Sequence, residues 1–266
     1  KKGSINDSGR AIIDYSKSHF YHSLQYLDRS NTYTDHLPNP DFYTAFLNDS
    51  SYTSDHLEFI KVQNTIGWSS LASDEPDSVP AATLFGLELG HEYAEFHQEE
   101  LDSFMNNAMA RVNLLKNSPN GVSFSFRGDI IWFGPNKGDY NVRARGILNT
   151  GSSSKISLMA NIWEQTPNLI QTVYSSNHYK WQNQFLKSNV ASSIIDYSND
   201  ASLFNVGLGA QLLKNYIYYD TLALPDQHNG SFPVLSMYLA KGFNLGKFKL
   251  TNRISFQYIG NDMPVR

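Results

Sequence analysis

Charged side chains that alternate with apolar ones are the clearest candidates for chemistry in this 266-residue chain. The residues in question are Arg111, Arg127, Asp129, Arg143, Arg145, Lys247, Lys249 and Arg253. The chemistry that they indicate is electrostatic, because cations that line one polar surface favour anions and repel other cations. In the alternative interpretation, Glu88, Glu92 and Asp129 pair with the arginines and neutralise them.

His91, Glu92, Glu95 and His97 form the nearest approach to a metal-binding cluster. Their spacing, H-E-x-x-E-x-H, differs from the H-E-x-x-H motif that places two imidazoles on one helical face. Alternate residues of a strand share a face, so weak binding of a divalent cation is one interpretation of this stretch. A polar strand end that continues into a solvated loop is the simpler one. We therefore predict no metal site and no cofactor.

Catalytic interpretations of other residues are weak. His178 could be combined with Asp196 or Ser175, but the strand-turn-helix context of a nucleophile is missing, and a hydrogen-bonded polar network explains these residue types better. The pair Gly207 and Gly209 lacks the third glycine and the following helix of a dinucleotide site. The chain has no cysteine, which excludes thiol catalysis and thiolate zinc sites. We predict that the protein is not an enzyme.

The composition narrows the class of protein. Aromatic residues make up 14% of the chain and charged residues only 17%, against about 25% charged residues in ordinary soluble domains. The sequence pI of about 6.1 gives no electrostatic footprint for nucleic acid. No apolar run approaches the length of a membrane-spanning helix. Because the sequence begins Lys1-Lys2 without a methionine or an apolar signal sequence, we expect it to be a mature or truncated segment and not a complete open reading frame.

Apolar and polar residues alternate over successive stretches of about ten residues between positions 121 and 259, which is the pattern of half-buried strands. The apolar positions that we predict to face lipid are Phe124, Phe126, Val142, Leu158, Trp181, Phe204, Leu208, Phe248, Leu250 and Phe256. The charged positions named above fall on the opposite face, which we predict to line a lumen. Turn-like segments such as 134–139 separate the strands. The pattern predicts an all-β antiparallel meander that forms a single domain over residues 1–266.

Alternation alone fits a soluble β-sandwich as well as a membrane β-barrel, because both have one apolar and one polar face. Roughly ten to twelve strands of bilayer-spanning length favour the barrel, and so do aromatic residues near the strand ends. Short turns also alternate with long connections, which we predict at about 28–56, 95–106 and 220–232. The prediction is therefore an up-and-down, antiparallel transmembrane β-barrel.

Several stretches resemble the outer-membrane porins of the Bacteroidota, a β-barrel family. They are GPNKGDY at 134–140, YSSNHYKWQNQF at 174–185, KNYIYYD at 214–220, PDQ at 225–227 and SFQY at 255–258. The resemblance extends over most of the chain. Members of this family continue to further strands, whereas this sequence ends at Arg266 without a terminal aromatic strand. We therefore expect the barrel not to close within these residues.

The resemblance implies a location in the bacterial outer membrane and passive diffusion of small polar solutes through a polar lumen. It implies contact with outer-membrane lipid, and association with further copies of the chain or with other outer-membrane proteins. The first alternative function is a non-conducting barrel that serves as a structural subunit of a larger outer-membrane transport or secretion complex. The second is a soluble β-sandwich that binds glycans through exposed tryptophan and tyrosine. We expect no nucleic-acid partner.

Overall fold

The computed structural model describes residues 2–5, 11–14, 18–43, 45–70, 83–98, 101–118 and 121–260. The strands are β1 (Lys2–Ile5), β2 (Ala11–Asp14), β3 (His19–His36), β4 (Tyr52–Ser69), β5 (Thr83–Gln98), β6 (Leu101–Lys116), β7 (Val122–Phe133), β8 (Tyr140–Asn149), β9 (Ser154–Gln165), β10 (Val173–Ser175), β11 (Lys180–Gln182), β12 (Ser188–Asn199), β13 (Phe204–Lys214), β14 (Ile217–Tyr219), β15 (Pro225–Gln227), β16 (Ser231–Leu245) and β17 (Phe248–Ile259). The helix α1 (Leu169–Thr172) precedes β10. No helix within these ranges has the length and apolar character needed to cross a membrane.

Eleven of the strands form one sheet in the order β3-β4-β5-β6-β7-β8-β9-β12-β13-β16-β17. Each strand is antiparallel to the next, and the small hairpins β10–β11 and β14–β15 lie within two of the connections. The predicted all-β antiparallel meander is confirmed. Strands β3 and β17 are the edges of the sheet, and among the described residues each is paired on one side only. The sheet is therefore open there, in agreement with the expectation that the barrel does not close within these residues.

The pairing register separates the side chains of this sheet into two faces. One face, called the apolar face below, carries in strand order Leu24, Ile66, Leu89, Val112, Phe126, Val142, Leu158, Ile195, Leu208, Met237 and Phe256. The other, called the polar face, carries Gln25, Gln63, Glu88, Arg111, Arg127, Arg143, Asn161, Ser192, Gln211, Ser236 and Gln257. Strict period-two alternation produces this separation, since a shift by one residue would exchange the faces.

The usual distribution of apolar and polar residues is inverted in this sheet. Leu208 and Phe256 on the apolar face are 52% and 61% exposed, and similar residues on every strand of the sheet are exposed with them. The buried polar and charged residues of the described ranges are Thr53, Gln98, Asn107, Asp139, Ser175, Ser176, Asn177 and His178. A continuous exposed apolar surface of this extent marks contact with a membrane or another protein.

The apolar residues form a belt that runs obliquely to the strands. Phe126 lies in the middle of the apolar run of β7, which extends from Val122 to Ile130. The residue paired with Phe126 on β8 is itself paired with a residue on β9, and this row can be followed from strand to strand across the sheet. On β17, the sixth strand after β7, the row reaches Tyr258, the last residue of the apolar run of that strand. The belt therefore shifts steadily along the strands from β7 to β17. This stagger is the geometry of strands that are tilted within a barrel wall.

The two ends of the sheet carry connections of different lengths. At one end, called the loop end, the connections cover residues 37–51, 99–100, 134–139, 166–187 and 215–230. At the other, called the turn end, they cover 70–82, 117–121, 150–153, 200–203 and 246–247. Within the connections at the two ends, residues 44, 71–82, 99–100 and 119–120 lie outside the described ranges. The predicted alternation of short and long connections holds from β8 to β17, where the long connections that contain β10–β11 and β14–β15 lie at the loop end. It does not hold between β4 and β6, because thirteen residues separate β4 from β5 at the turn end and two separate β5 from β6 at the loop end.

Three predicted boundaries are wrong. The connection predicted at 28–56 is shorter, because β3 extends to His36 and β4 begins at Tyr52. The connection predicted at 95–106 is mostly strand, because β5 extends to Gln98 and β6 begins at Leu101, and residues 99–100 lie outside the described ranges. The ends of β3 and β4 are polar on both faces, which hides their alternation. The ends of β5 and β6 interrupt the pattern, because Phe96 and Met105 lie on the polar face and Glu95 and Asp102 on the apolar face. Hydrogen bonding between neighbouring strands maintains both pairs. The connection predicted at 220–232 covers 215–230 and contains a hairpin.

Candidate functional site

Arg111 lies between two carboxylates on the polar face. The pairing of β5, β6 and β7 places Glu88 beside Arg111 and Arg111 beside Asp129. Arg111 Nη1 donates to Glu88 Oε2 at 2.6 Å, and Arg111 Nε donates to Asp129 Oδ1. Asn113 also donates to Glu88, at 3.1 Å. Arg111 is therefore neutralised by its neighbours, as the alternative interpretation of the basic residues predicts.

A group of less compensated cations follows on the next strands. Arg127 is paired in register with Arg143 on β8, and Arg145 lies two residues further along β8 on the same face. Arg127 donates to Asp129 at 3.1 Å, a carboxylate that it shares with Arg111. Arg143 and Arg145 are exposed, and neither forms an ion pair within the described part of the chain. We call Arg127, Arg143 and Arg145 the arginine cluster.

A second polar network lies near the other edge of the sheet. The Tyr238 hydroxyl donates to Asp196 at 2.7 Å, and the Arg253 guanidinium lies 4.1 Å from the centroid of the Tyr238 ring. A Cβ atom on Gly207 would lie 2.2 Å from that ring and 2.3 Å from the Asp196 carboxylate. A larger residue at position 207 would therefore displace Tyr238 or Asp196, and this contact accounts for one glycine of the pair noted in the sequence.

Most of the predicted lining residues lie on the polar face. They are Arg111, Arg127, Asp129, Arg143, Arg145, Lys249 and Arg253. Lys247 differs, because it occupies the two-residue turn between β16 and β17. A turn residue at the end of the sheet belongs to neither face of its wall.

The predicted lipid-facing residues, with one exception, lie together on the apolar face. They are Phe124, Phe126, Val142, Leu158, Phe204, Leu208, Phe248, Leu250 and Phe256. The exception is Trp181, which lies in β11 and outside the eleven-stranded sheet. The strand predicted around it is limited to three residues, because its backbone pairs only with the short β10. The indole N–H of Trp181 donates to the Ile170 carbonyl at 2.8 Å.

The tip of the β10–β11 hairpin is held against the connection between β3 and β4, and Asn177 makes most of the contacts. The Asn177 side-chain oxygen accepts hydrogen bonds from the backbone N–H groups of Asn48 and Asp49 at 2.9 and 3.0 Å. The side-chain nitrogen donates to the Asp49 carbonyl at 2.7 Å and to the Thr53 hydroxyl at 2.8 Å. The backbone N–H donates to the Asp55 carboxylate at 2.8 Å. We call this set of contacts the hairpin clamp.

His178 extends the hairpin clamp. Its Nδ1 lies 3.1 Å from the Ala45 carbonyl and its Nε2 lies 2.8 Å from the Thr53 hydroxyl. Since a carbonyl only accepts, Nδ1 carries the proton and Nε2 accepts from Thr53. The Tyr43 ring stacks on the imidazole with a centroid distance of 3.6 Å. His178 is 5% exposed, so it occupies the kind of polar network that the sequence indicated, and its ring nitrogens are bonded to groups other than the proposed catalytic partners.

A second tie at the loop end involves the GPNKGDY stretch. Buried Asp139 accepts hydrogen bonds from the Thr166 backbone N–H at 2.9 Å and from Lys187 Nζ at 2.8 Å. Gly134 has a φ of 106° and Gly138 a φ of 89°, and residues other than glycine rarely adopt such positive backbone angles. These glycines form the turn that presents Asp139 to the connection between β9 and β12. The motif is therefore structural.

The histidines of β5 bond to neighbours on the adjacent strand. His91 Nε2 lies 2.6 Å from Asn106, and His97 Nδ1 lies 2.8 Å from Asp102. Within the described ranges, no group of three or more His, Asp or Glu side chains is arranged to hold a metal ion. The contacts fit a polar strand end.

Two ionisable side chains outside the eleven-stranded sheet, Asp49 and Tyr218, have pKa values that differ from their usual range. The Ser51 backbone N–H and hydroxyl both donate to the Asp49 carboxylate at 2.7 Å, and these bonds hold the Asp49 pKa below its usual range. A lowered pKa means that this contact stabilises the loop at neutral pH and is lost only as the pH falls through the lowered value. The Tyr218 hydroxyl donates to Asp226 at 2.8 Å, which raises the Tyr218 pKa.

The hairpin clamp was not predicted from the sequence. Asn177 and Asp49 are 128 positions apart, and no spacing rule joins an asparagine in one connection to the backbone of another. The available signal was local: the predicted long connection before β4 is rich in asparagine, aspartate and serine, which bond readily to backbone groups.

Comparisons with known proteins bear on fold and family. A family model described as "Putative porin" matches residues 12–265. No curated protein and no solved structure matches the chain significantly. The matched range contains the whole eleven-stranded sheet, with its apolar and polar faces, and the connections at its loop end. The chain belongs to this porin family.

Proposed function

We propose that the chain forms the wall of an outer-membrane pore through which small polar solutes diffuse passively. The apolar face contacts lipid and the polar face lines the water-filled path. The loop end, with its long connections, faces the cell exterior, and the turn end faces the periplasm, as is general for barrels of this kind. Contact with outer-membrane lipid, with other outer-membrane proteins or with further copies of the chain is part of the same proposal.

The sidedness of the sheet is the observation that carries this proposal. Large apolar side chains are exposed on one face of all eleven strands of the sheet, whereas charged and other polar side chains predominate on the opposite face. Lipid on one side and water on the other would satisfy both faces, as in membrane barrels. The oblique course of the apolar belt adds support, because a belt level with the membrane crosses tilted strands obliquely. A soluble sandwich would instead bury its apolar face against a second sheet.

Conduction tests the proposal directly. The purified protein is reconstituted into planar lipid bilayers and the current is recorded at constant voltage. We expect stepwise increases in conductance as single pores insert. Folded, inserted protein that gives no steps would contradict passive diffusion and favour the alternative, a non-conducting barrel that serves as a structural subunit of a larger complex.

The arginine cluster predicts a preference for anions. Its charges are only partly matched by Asp129, and fixed charge in a wall of low dielectric focuses the potential in the lumen. We expect the unaltered pore to pass chloride more readily than potassium. Arg143→Glu combined with Arg145→Glu should lower the anion-to-cation permeability ratio several-fold, and the reversal potential in a KCl gradient measures this ratio.

The control for charge alone is Lys247→Glu. It makes the same change in charge as Arg143→Glu, but in the turn between β16 and β17. We expect its effect on the reversal potential to be much smaller than that of Arg143→Glu alone. Equal effects of the two single variants would show that the arginine cluster has no special role in selectivity.

A further inference from the structure

A cleft at the loop end lies between the sheet and the β10–β11 hairpin. Its volume is about 370 Å³, within the range of small-molecule sites, roughly 300–1,000 Å³. Among its lining residues are Asn31, Tyr33, Asp55, Gln98, Tyr179 and Trp181. The first four come from the ends of β3, β4 and β5, and the last two from the hairpin and its tip. We call this space the aromatic cleft.

The aromatic wall of the cleft is held in place before any ligand arrives. Trp181 stacks on Tyr174 with a centroid distance of 4.6 Å and an interplanar angle of 22°. Tyr179 and Tyr219 meet the indole edge to face at 6.4 and 6.5 Å, and the indole N–H is bonded to the Ile170 carbonyl. These contacts leave Trp181 few alternative orientations. A preorganised ring loses little entropy when a ligand binds to it.

The opposite wall of the cleft carries polar side chains. Gln98 is 3% exposed, its side-chain nitrogen donates to the Ser175 carbonyl, and its Oε1 has no partner among the described residues. Because both polar atoms of this amide are buried, Gln98 fixes the wall of the cleft against the hairpin and is not a direct ligand contact. Asn31 is exposed and lines the same cleft without a hydrogen bond within the described part of the chain. The Asp55 carboxylate also lines the cleft.

We infer that the aromatic cleft binds a neutral saccharide of about two rings. A pyranose has a C–H face that packs on an aromatic ring and a rim of hydroxyl groups that both donate and accept hydrogen bonds. The exposed Asn31 amide also donates and accepts, and the Asp55 carboxylate accepts, so the rings and these side chains together match both parts of a sugar. A cationic ligand would use the rings and Asp55 but would leave the Asn31 amide without a role.

This inference depends on the proposed function only in that the saccharide would be a solute held at the mouth of the pore. Its test does not require conduction. Binding of maltose, cellobiose and N,N′-diacetylchitobiose to the protein in detergent micelles is measured by calorimetry. We expect at least one of these disaccharides to bind, and Trp181→Ala to weaken that binding about tenfold or more, the scale of losing one stacked ring.

Two further variants make the test specific. Asn31→Ala removes a lining amide that has no bond within the described protein, so a weaker affinity in this variant cannot be attributed to misfolding. Trp132→Ala removes an exposed indole on β7, outside the cleft, and should leave the affinity unchanged. Absence of binding by all three disaccharides, binding of choline instead, or equal affinities of the unaltered, Trp181→Ala and Asn31→Ala proteins would overturn the inference. Conduction without saccharide binding would overturn this inference and leave the pore proposal intact. Saccharide binding without conduction would contradict the pore proposal and leave this inference intact.

Discussion

Leu208→Arg is expected to destabilise the membrane-inserted protein by about 2–4 kcal/mol, the cost of a charged side chain at the centre of the lipid-facing wall of a barrel. Leu208 lies in the middle of the apolar run of β13, between Ile195 on β12 and Met237 on β16. In the proposed orientation its side chain contacts the acyl region, where an arginine loses its hydration. The midpoint of urea unfolding in lipid vesicles, followed by tryptophan fluorescence, measures the change.

Gln211→Arg is the matched control, because Gln211 lies three residues further along the same strand but on the polar face. We expect this variant to unfold at nearly the same urea concentration as the unaltered protein. Equal losses of stability at the two positions would show that both faces meet the same surroundings. Greater destabilisation by Gln211→Arg would mean that lipid contacts the polar face, and it would reverse the proposed orientation.

Asn177→Ala is expected to open the hairpin clamp. The substitution removes all four side-chain hydrogen bonds of a residue that is 2% exposed. Each buried polar group left without a hydrogen-bond partner destabilises the folded state by about 1–3 kcal/mol. The loss is smaller where a water molecule can enter and replace the missing partner. We therefore expect the backbone amides of Asn48 and Asp49 to lose most of their protection from hydrogen exchange, which mass spectrometry of peptides from residues 45–55 detects.

The control for this variant is Asn229→Ala. Asn229 is an exposed residue of the connection between β15 and β16, and its replacement should leave exchange in residues 45–55 unchanged. Protection of Asn48 and Asp49 that survives in Asn177→Ala would mean that other contacts hold the connection. Protection lost equally in the sheet would indicate general unfolding in place of a local opening.

The sheet could be predicted from the sequence because one rule dominates its strands. From Phe248 to Tyr258 the side chains alternate with only one interruption, at Asn252. A strand with one apolar and one polar face leaves little choice of register. The two-residue alternation alone therefore predicts that Leu208 and Phe256 lie on the apolar face and Arg143 on the polar face. The fold class and the composition of the two faces therefore required no knowledge of distant contacts.

The loop end could not be predicted in the same way. The ends of β3 and β4 are polar on both faces, and their strand character depends on pairing between residues such as His36 and Tyr52 that no local pattern reveals. Trp181 stands in an alternating stretch but belongs to a three-residue strand, because contacts with Tyr174 and Ile170 outweigh the pattern. Within the sheet, the pairing of Arg111 with Glu88 and Asp129 is only one of two interpretations that the sequence allows, because the choice between them depends on the register of three strands.

The unequal lengths of the strands give the protein a lopsided rim. Strand β3 continues nine residues from Asp28 to His36 beyond its apolar run, and β4 accompanies it. In contrast, β8 begins at Tyr140, which is paired with Ile130 near the end of β7. At about 3.3 Å per residue this amounts to roughly 30 Å of strand, so in the proposed orientation one side of the rim would extend much further from the cell surface than the other. Antibodies and phage tail fibres would then reach the extended side first, and an epitope tag or a surface label would be best placed there.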